Sequence, residues 1–540
     1  MWPGVGQGIA LQACGTTMPT VQELLSTALE THRAGRSAEA RALYQEILKA
    51  NPDHADALHL LGLSSFDQGR YEEALALIGR AIERNPSAAG YHNKLGNVLQ
   101  QLRRFPEALL CYERALQLEP NYAEAYSNLG AALDDLGRTA EALDCFRQAL
   151  ELNPSHPDSY NNLGNSFRSL NLLEDAVACY KQAIQLRPGH PDAWNNLGGA
   201  LAEQGHFLNA MQCYDHVLSV HPANAKAHWN RALILLTAGN FEEGWQEYQW
   251  RWEARDVPRR QFLQPPWDGA ASQGKTILLH AEQGLGDTIQ FARYASLLAR
   301  QGAAVVLECQ PRLAPLLATL PGVASVVAAG DPLPWFDTHV PLLDVPRLLG
   351  TTLESIPAEI PYLKVDPARV DAWRHRLEAE MRPKVGIAWA GSRAHQADHQ
   401  RSVKLALFTP LAQFEGIAFY SLQRGEKAAE LASPPPGLTI RSLEEESGDI
   451  LDTAAAIMNL DLIITVDTMV AHLAAALGKP VWNLLPYLPD WRWLLESNTT
   501  PWYPTMRLYR QPEPGAWTSV MEQVAADLAA VLAANPQGHA

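Results

Sequence analysis

An all-helical array of repeated helix pairs followed by two parallel α/β halves is the fold class this sequence predicts. Three observations carry that expectation. Residues recur every 34 positions through the first half, and from Thr276 strand-like apolar runs alternate with helical ones. The 540 residues, 47% of them hydrophobic, also suffice for about three domains with real cores. The net charge of −16 argues against a sequence-independent grip on nucleic acid and against anionic membrane surfaces. No uncharged run approaches the roughly 18–20 apolar residues of a membrane span. Residues 1–18 lack a basic start and read as an unstructured leader, with Met1 and Met18 both open as the first residue.

The helix pairs come first. Prolines stand at Pro52, Pro86, Pro120, Pro154, Pro188 and Pro222, where each unit ends. One small position runs Ala28, Gly62, Gly96, Gly130, Gly164, Gly198 and Ala232, and a second runs from Ala40 to Gly244. A bulky position (Tyr44, Ile78, Tyr112, Phe146, Tyr180, Tyr214, Tyr248) fills the gap that the small residues leave. This pattern resembles seven tetratricopeptide repeats over residues 19–255. The resemblance implies a right-handed superhelix whose groove binds a partner, and it implies no catalysis. Cys111, Cys145, Cys179 and Cys213 follow the same period. Equivalent helices lie two packing distances apart, beyond the roughly 7 Å reach of a disulfide, so these thiols read as small hydrophobes in a reducing, cytoplasmic compartment.

Asn128, Asn162, Asn196 and Asn230 form a further series in four successive first helices. Asparagine is a mediocre helix former, but its amide both donates and accepts, which suits the unpaired backbone of an extended peptide. The alternative is that the residue caps local turns or is simply inherited with the repeat. The position resembles the asparagine ladder in the repeats of protein O-GlcNAc transferases, which implies an acceptor-binding role.

Periodicity ends at Phe241–Trp252, and residues 256–275 form a linker rich in proline and charge. The aromatic cluster Trp245, Tyr248, Trp250 and Trp252 is expected to cap the superhelix and dock it on the second half of the chain. Stacking on carbohydrate is the other reading.

Strands are expected at Thr276–His280, Ala303–Cys309, Val323–Val327, Lys384–Trp389, Ile417–Leu422, Leu460–Val466 and Val481–Leu485. Helices are expected at Thr288–Gln301 and Thr468–Leu477, with Trp517–Leu532 crossing back to the first half. Ligands in such sheets bind beyond the carboxyl ends of the strands. There Gly284-Leu285-Gly286-Asp287 makes a strand-to-helix turn, in which Asp287 is either a helix cap or an exposed general base. Asp467 and Thr468 open a helix whose free N–H groups favour a diphosphate, and His472 could add a donor one turn later. Arg401 and Lys404 are the nearest cations, with solvated surface charge as their other reading.

Residues 276–512 resemble GT-B glycosyltransferases of the heptosyltransferase-like family. The resemblance rests on Gly284-Leu285-Gly286-Asp287, on Asp467-Thr468 with His472 and Ala474, and on Gly478-Lys479-Pro480-Val481. It implies an acceptor-side Rossmann-like half at 276–364 and a nucleotide-sugar half at 365–512, with a closing helix and tail at 513–540. Asp287 would be the catalytic base, and Gly284, Gly286, Arg401, Lys404, Asp467, Thr468 and His472 would bind the donor. The whole layout is similar to protein O-GlcNAc transferases. No Asp-X-Asp pair occurs in the second half, which argues against a divalent-metal site for the diphosphate. The expected enzyme is metal-independent and inverting, with no cofactor beyond its nucleotide-sugar substrate. Its acceptor would be a polypeptide chosen by the repeats. A protein-binding scaffold with a vestigial transferase half and a glycan-directed transferase are the rivals.

Overall fold

The computed structural model describes residues 20–255, 257–392, 398–443 and 448–534. The expected leader therefore lies outside the described residues, as do part of the loop after Trp389 and the end of the tail. The chain divides into two compact units, one ending at Gln204 and one starting at Gly205.

In the first unit, helix pairs follow the 34-residue period from Val21–Arg33 with Ser37–Ala50 to Leu173–Leu186, and Pro191–Glu203 ends the unit. The small and bulky series meet as the sequence implies. A Cβ added at Gly164 would stand 2.6 Å from the buried Tyr180 ring, and one at Gly130 would stand 2.7 Å from Phe146. Each pair turns through one left-handed residue, glycine at 35, 69 and 137 but Arg103 and Asn171 at the equivalent places.

The second unit opens with helices Phe207–Val220, Ala225–Thr237, Phe241–Tyr248 and Arg251–Ala254. A first sheet comes next, made of β1 (Thr276–His280), β2 (Ala304–Cys309), β3 (Ser325–Ala328) and β4 (Thr338–Pro341). It is parallel throughout, in the order β3-β2-β1-β4. The second sheet uses β5 (Lys384–Ala388), β6 (Ala418–Ser421), β7 (Ile440–Ser442), β8 (Leu462–Val466), β9 (Val481–Leu485), β10 (Thr499–Thr500) and β11 (Tyr503–Arg510). Its order is β10-β11-β9-β8-β5-β6-β7, parallel except for the β10–β11 pair. Counted from the first strand of each sheet, both orders contain 3-2-1-4, so strand order reverses beside β1 and beside β5.

Two expectations are corrected. The helix expected at Thr288–Gln301 is two, Leu285–Phe291 and Arg293–Arg300, separated at Ala292. The closing helix, Trp517–Ala534, does not return to the first half. Its buried Val520, Met521, Val524 and Leu528 join Val385, Ile387 and Tyr509 in the core behind the second sheet. That apolar face was already matched by the nearest uncovered sheet. Among the described residues no helix is long and apolar enough to cross a membrane.

Candidate functional site

A cleft of about 790 Å³ opens where the carboxyl ends of β1, β5, β6 and β8 converge. Most of the residues singled out from sequence line it: Gly284, Gly286, Asp287, Arg401, Asp467, Thr468 and His472. Lys404 does not; it is exposed and outside the lining.

The β1 side begins with Gly284, which N-caps the helix Leu285–Phe291. Asp287, three residues on, accepts the Gly284 N–H at 2.9 Å, closing a capping box. Its other oxygen accepts from Arg492 at 2.5 Å, and Arg492 also holds Asp490 at 2.8 Å. Arg492 is only 6% exposed, so burial disfavours its charge, but Asp490 and Asp287 more than offset that and keep its guanidinium ionised. Asp287 therefore caps a helix and also faces the cleft. Gly286 leaves room for the partner half: a Cβ there would stand 2.8 Å from the His472 ring.

On the second sheet, the Thr468 hydroxyl caps Met469–Ala476 by accepting from Val470 N–H at 3.2 Å. His472 is buried, stacks on Trp493 and shares a 3.1 Å hydrogen bond between Nδ1 and the Tyr503 hydroxyl. Burial, then the charges of Arg492, Arg293 and Arg401, push it far below the usual imidazole range, so it is neutral. Burial and the charge of Asp490 raise the Asp467 carboxyl to about 6. Arg401 forms an ion pair with Asp398 at 3.5 Å. Among the described residues its buried Nε has no hydrogen-bond partner.

Asp467 gives a pH test. Its native pKa lies above the unfolded value of about 3.9, so its ionisation destabilises the fold above pH 6. Asp467→Asn is expected to melt higher than the parent at pH 7–8, with the gain fading as pH falls from about 6 to about 4. Equal melting shifts at pH 4 and pH 8 would contradict this.

Sequence reasoning missed the contribution of β6. Gln423 is buried and accepts the N–H groups of Trp389 and Ala390 at 3.0 and 2.9 Å, tying the loop after β5 to the loop after β6. Arg424 and Lys427 come next in the cleft wall, with Arg424 bonded to Thr453 and Lys427 to Glu430. With Arg312 and Arg492 the lining holds five Lys/Arg side chains against four Asp/Glu, in a chain whose net charge is −16. The usable signal was the run Arg424-Gly425-Glu426-Lys427 straight after a buried strand.

The asparagine series is half-buried on first helices, and part of it is already engaged. Asn128 donates to Asn93 at 2.9 Å and Asn196 donates to Asn161 at 2.9 Å, each reaching into the preceding repeat. Asn93, Asn161 and Asn195 form a buried second series one residue earlier, legible by the same period. Burial closes Trp245, Tyr248 and Trp252 to sugars, at 2%, 2% and 9% exposed, while the half-buried Trp250 stacks on His228. Trp245 instead donates to the Thr351 carbonyl at 3.1 Å and packs edge-on against Trp491.

Comparison with known proteins locates the repeats. Tetratricopeptide-repeat families match residues 28–89, 86–155, 145–178, 164–205 and 200–249. The chain is 30% identical over 316 residues to protein FlbA of Caulobacter vibrioides, covering 54% of this chain and 52% of FlbA. It thus spans about half the length of that curated relative. Among solved structures, TTC0263, a thermophilic TPR protein in Thermus thermophilus, is 25% identical, with 34% of this chain and 100% of that one covered at a TM-score of 0.31. YrrB, a TPR protein with an unusual peptide-binding site, is 24% identical, with coverages of 34% and 95% and a TM-score of 0.26. The chain carries tetratricopeptide repeats across its N-terminal half, a module that implies protein or peptide binding.

Proposed function

We propose that the chain is a metal-independent, inverting GT-B glycosyltransferase whose repeats choose a polypeptide acceptor. The observation that carries this reading is the cleft at the two strand-order reversals, with Asp287 on the β1 side and Arg401, Arg424 and Lys427 among the residues that line the second-sheet side. A nucleotide sugar fits that polarity. The acceptor hydroxyl attacks the anomeric carbon, its proton passes to Asp287, and the bond to the diphosphate breaks. Arg401 and the Thr468 helix start meet the charge on the departing diphosphate. His472, being neutral, brings no positive charge to the diphosphate. A cytoplasmic location is part of this proposal.

One observation favours the scaffold rival. Both oxygens of Asp287 already accept hydrogen bonds, one from the Gly284 N–H and one from Arg492, which is what a purely structural cap would do. Each oxygen keeps a second lone pair, which is the one a proton would take.

The test is calorimetric titration with a panel of nucleoside diphosphates. At least one should bind, and Arg401→Ala should weaken it tenfold or more, because a lost charge-assisted hydrogen bond is worth about 1.5–3 kcal/mol. Binding of none, or affinity unchanged by Arg401→Ala, rejects the site.

A further inference from the structure

The last helices of the repeat pattern reach the candidate base by two routes. The first runs through Arg251, which is 1% exposed. Its Nε and Nη2 donate to the two carboxylate oxygens of Glu282 at 3.0 and 2.7 Å, and its Nη1 donates to Asp344 at 2.8 Å. The guanidinium lies over the rings of Tyr248 and Trp252, at 5.1 and 4.8 Å from their centroids. Glu282 opens the loop that leads through Gly284 to Asp287. The next residue, Gln283, donates to the Tyr248 hydroxyl at 3.4 Å.

The second route runs through Trp491. Its ring is buried among Trp245, Tyr248 and Phe241, with centroids 5.3, 6.0 and 6.2 Å away. The residue after it, Arg492, donates to Asp287 at 2.5 Å and to Gln290 at 2.8 Å. Both routes start on the helices Phe241–Tyr248 and Arg251–Ala254, and both end at the Asp287 carboxylate.

Stability alone does not call for this construction. A buried ion pair gains little over apolar packing once desolvation is counted, whereas a fork-on-fork arginine–carboxylate contact fixes direction. We propose that Arg251 and Trp491 are positioning residues through which the final repeat helices hold the loop of Glu282–Asp287, and with it the base, in place. The transfer step rests on the glycosyltransferase reading; the ordering of the loop by these helices does not.

The full chain is used for the test. Arg251→Lys keeps the charge but loses the fork. Backbone amides of residues 282–287 should then exchange about tenfold faster, while those of 464–476 stay protected. Turnover should fall about 10²-fold, because small misplacement of a reacting group is that damaging, with the nucleoside diphosphate Kd unchanged. If Arg251→Lys does not fold, Tyr248→Phe and Trp491→Phe are read by the same exchange measurement. Unchanged exchange in 282–287, or a rise spread evenly over the whole second unit, overturns the proposal. If the wild-type chain turns over no nucleotide sugar, faster exchange confined to 282–287 still establishes the ordering, and only the glycosyltransferase reading falls.

Discussion

Asp287→Asn is expected to lower turnover about 10²–10⁴-fold, the usual contribution of a general base, while nucleoside diphosphate affinity stays nearly constant. A base acts in the transition state, so its loss should appear in kcat rather than in ground-state binding. Asparagine suits the site for this purpose. Its carbonyl oxygen can still accept the Gly284 N–H, so the capping contact survives, while its NH2 replaces the oxygen that faces Arg492 and that one hydrogen bond is lost. Arg492 keeps Asp490 at 2.8 Å and so does not become an unpaired buried charge. Asp287→Ala loses the cap as well, which adds about 1 kcal/mol of instability. Comparing the two variants therefore separates chemistry from folding. Full turnover by Asp287→Asn would leave the residue with its capping role alone.

The second large effect concerns the repeats. Replacing Asn128, Asn162, Asn196 and Asn230 together by alanine should raise the KM for a protein acceptor at least tenfold. Each amide contact to a peptide backbone is worth roughly 0.5–1.5 kcal/mol. Donor hydrolysis, which uses only the cleft, should be unaffected. From sequence alone these substitutions look harmless to stability, because alanine is the better helix former. The structure changes that expectation. Asn128 and Asn196 bridge to Asn93 and Asn161, and removing them strands buried carbonyl oxygens, at about 1–3 kcal/mol each. The pair Asn162→Ala and Asn230→Ala spares both bridges, losing only the 3.5 Å contact from Asn161 to the Asn162 carbonyl, and is the cleaner probe of the groove. Acceptor KM unchanged in that pair and in the quadruple variant would mark the series as part of the repeat's own packing.

The repeats were legible because each position is fixed by a local contact that recurs, as Gly164 against Tyr180 recurs in Gly130 against Phe146 and Gly96 against Tyr112. The strand ends around the cleft were legible because a glycine-rich turn or a helix cap comes after an apolar run there. Strands β4, β7, β10 and β11 were not expected. β7 is three residues long and half exposed, while β11 holds a proline and two arginines among its apolar residues and comes after a turn-rich stretch. Arg492 escaped notice for a different reason. It pairs with Asp287 across 205 residues of chain, and no local pattern encodes a partner at that distance. Lys404 illustrates the converse error: nearness in sequence to Arg401 placed it in the site, but its side chain is exposed outside the cleft.

Release of nucleoside diphosphate from a panel of nucleotide sugars, with a protein extract as acceptor source, tests the central claim most directly. The account predicts that at least one donor is turned over by the wild-type chain. It also predicts that Asp287→Asn loses that turnover about 10²-fold or more. No release from any donor, or release that Asp287→Asn matches, would contradict it.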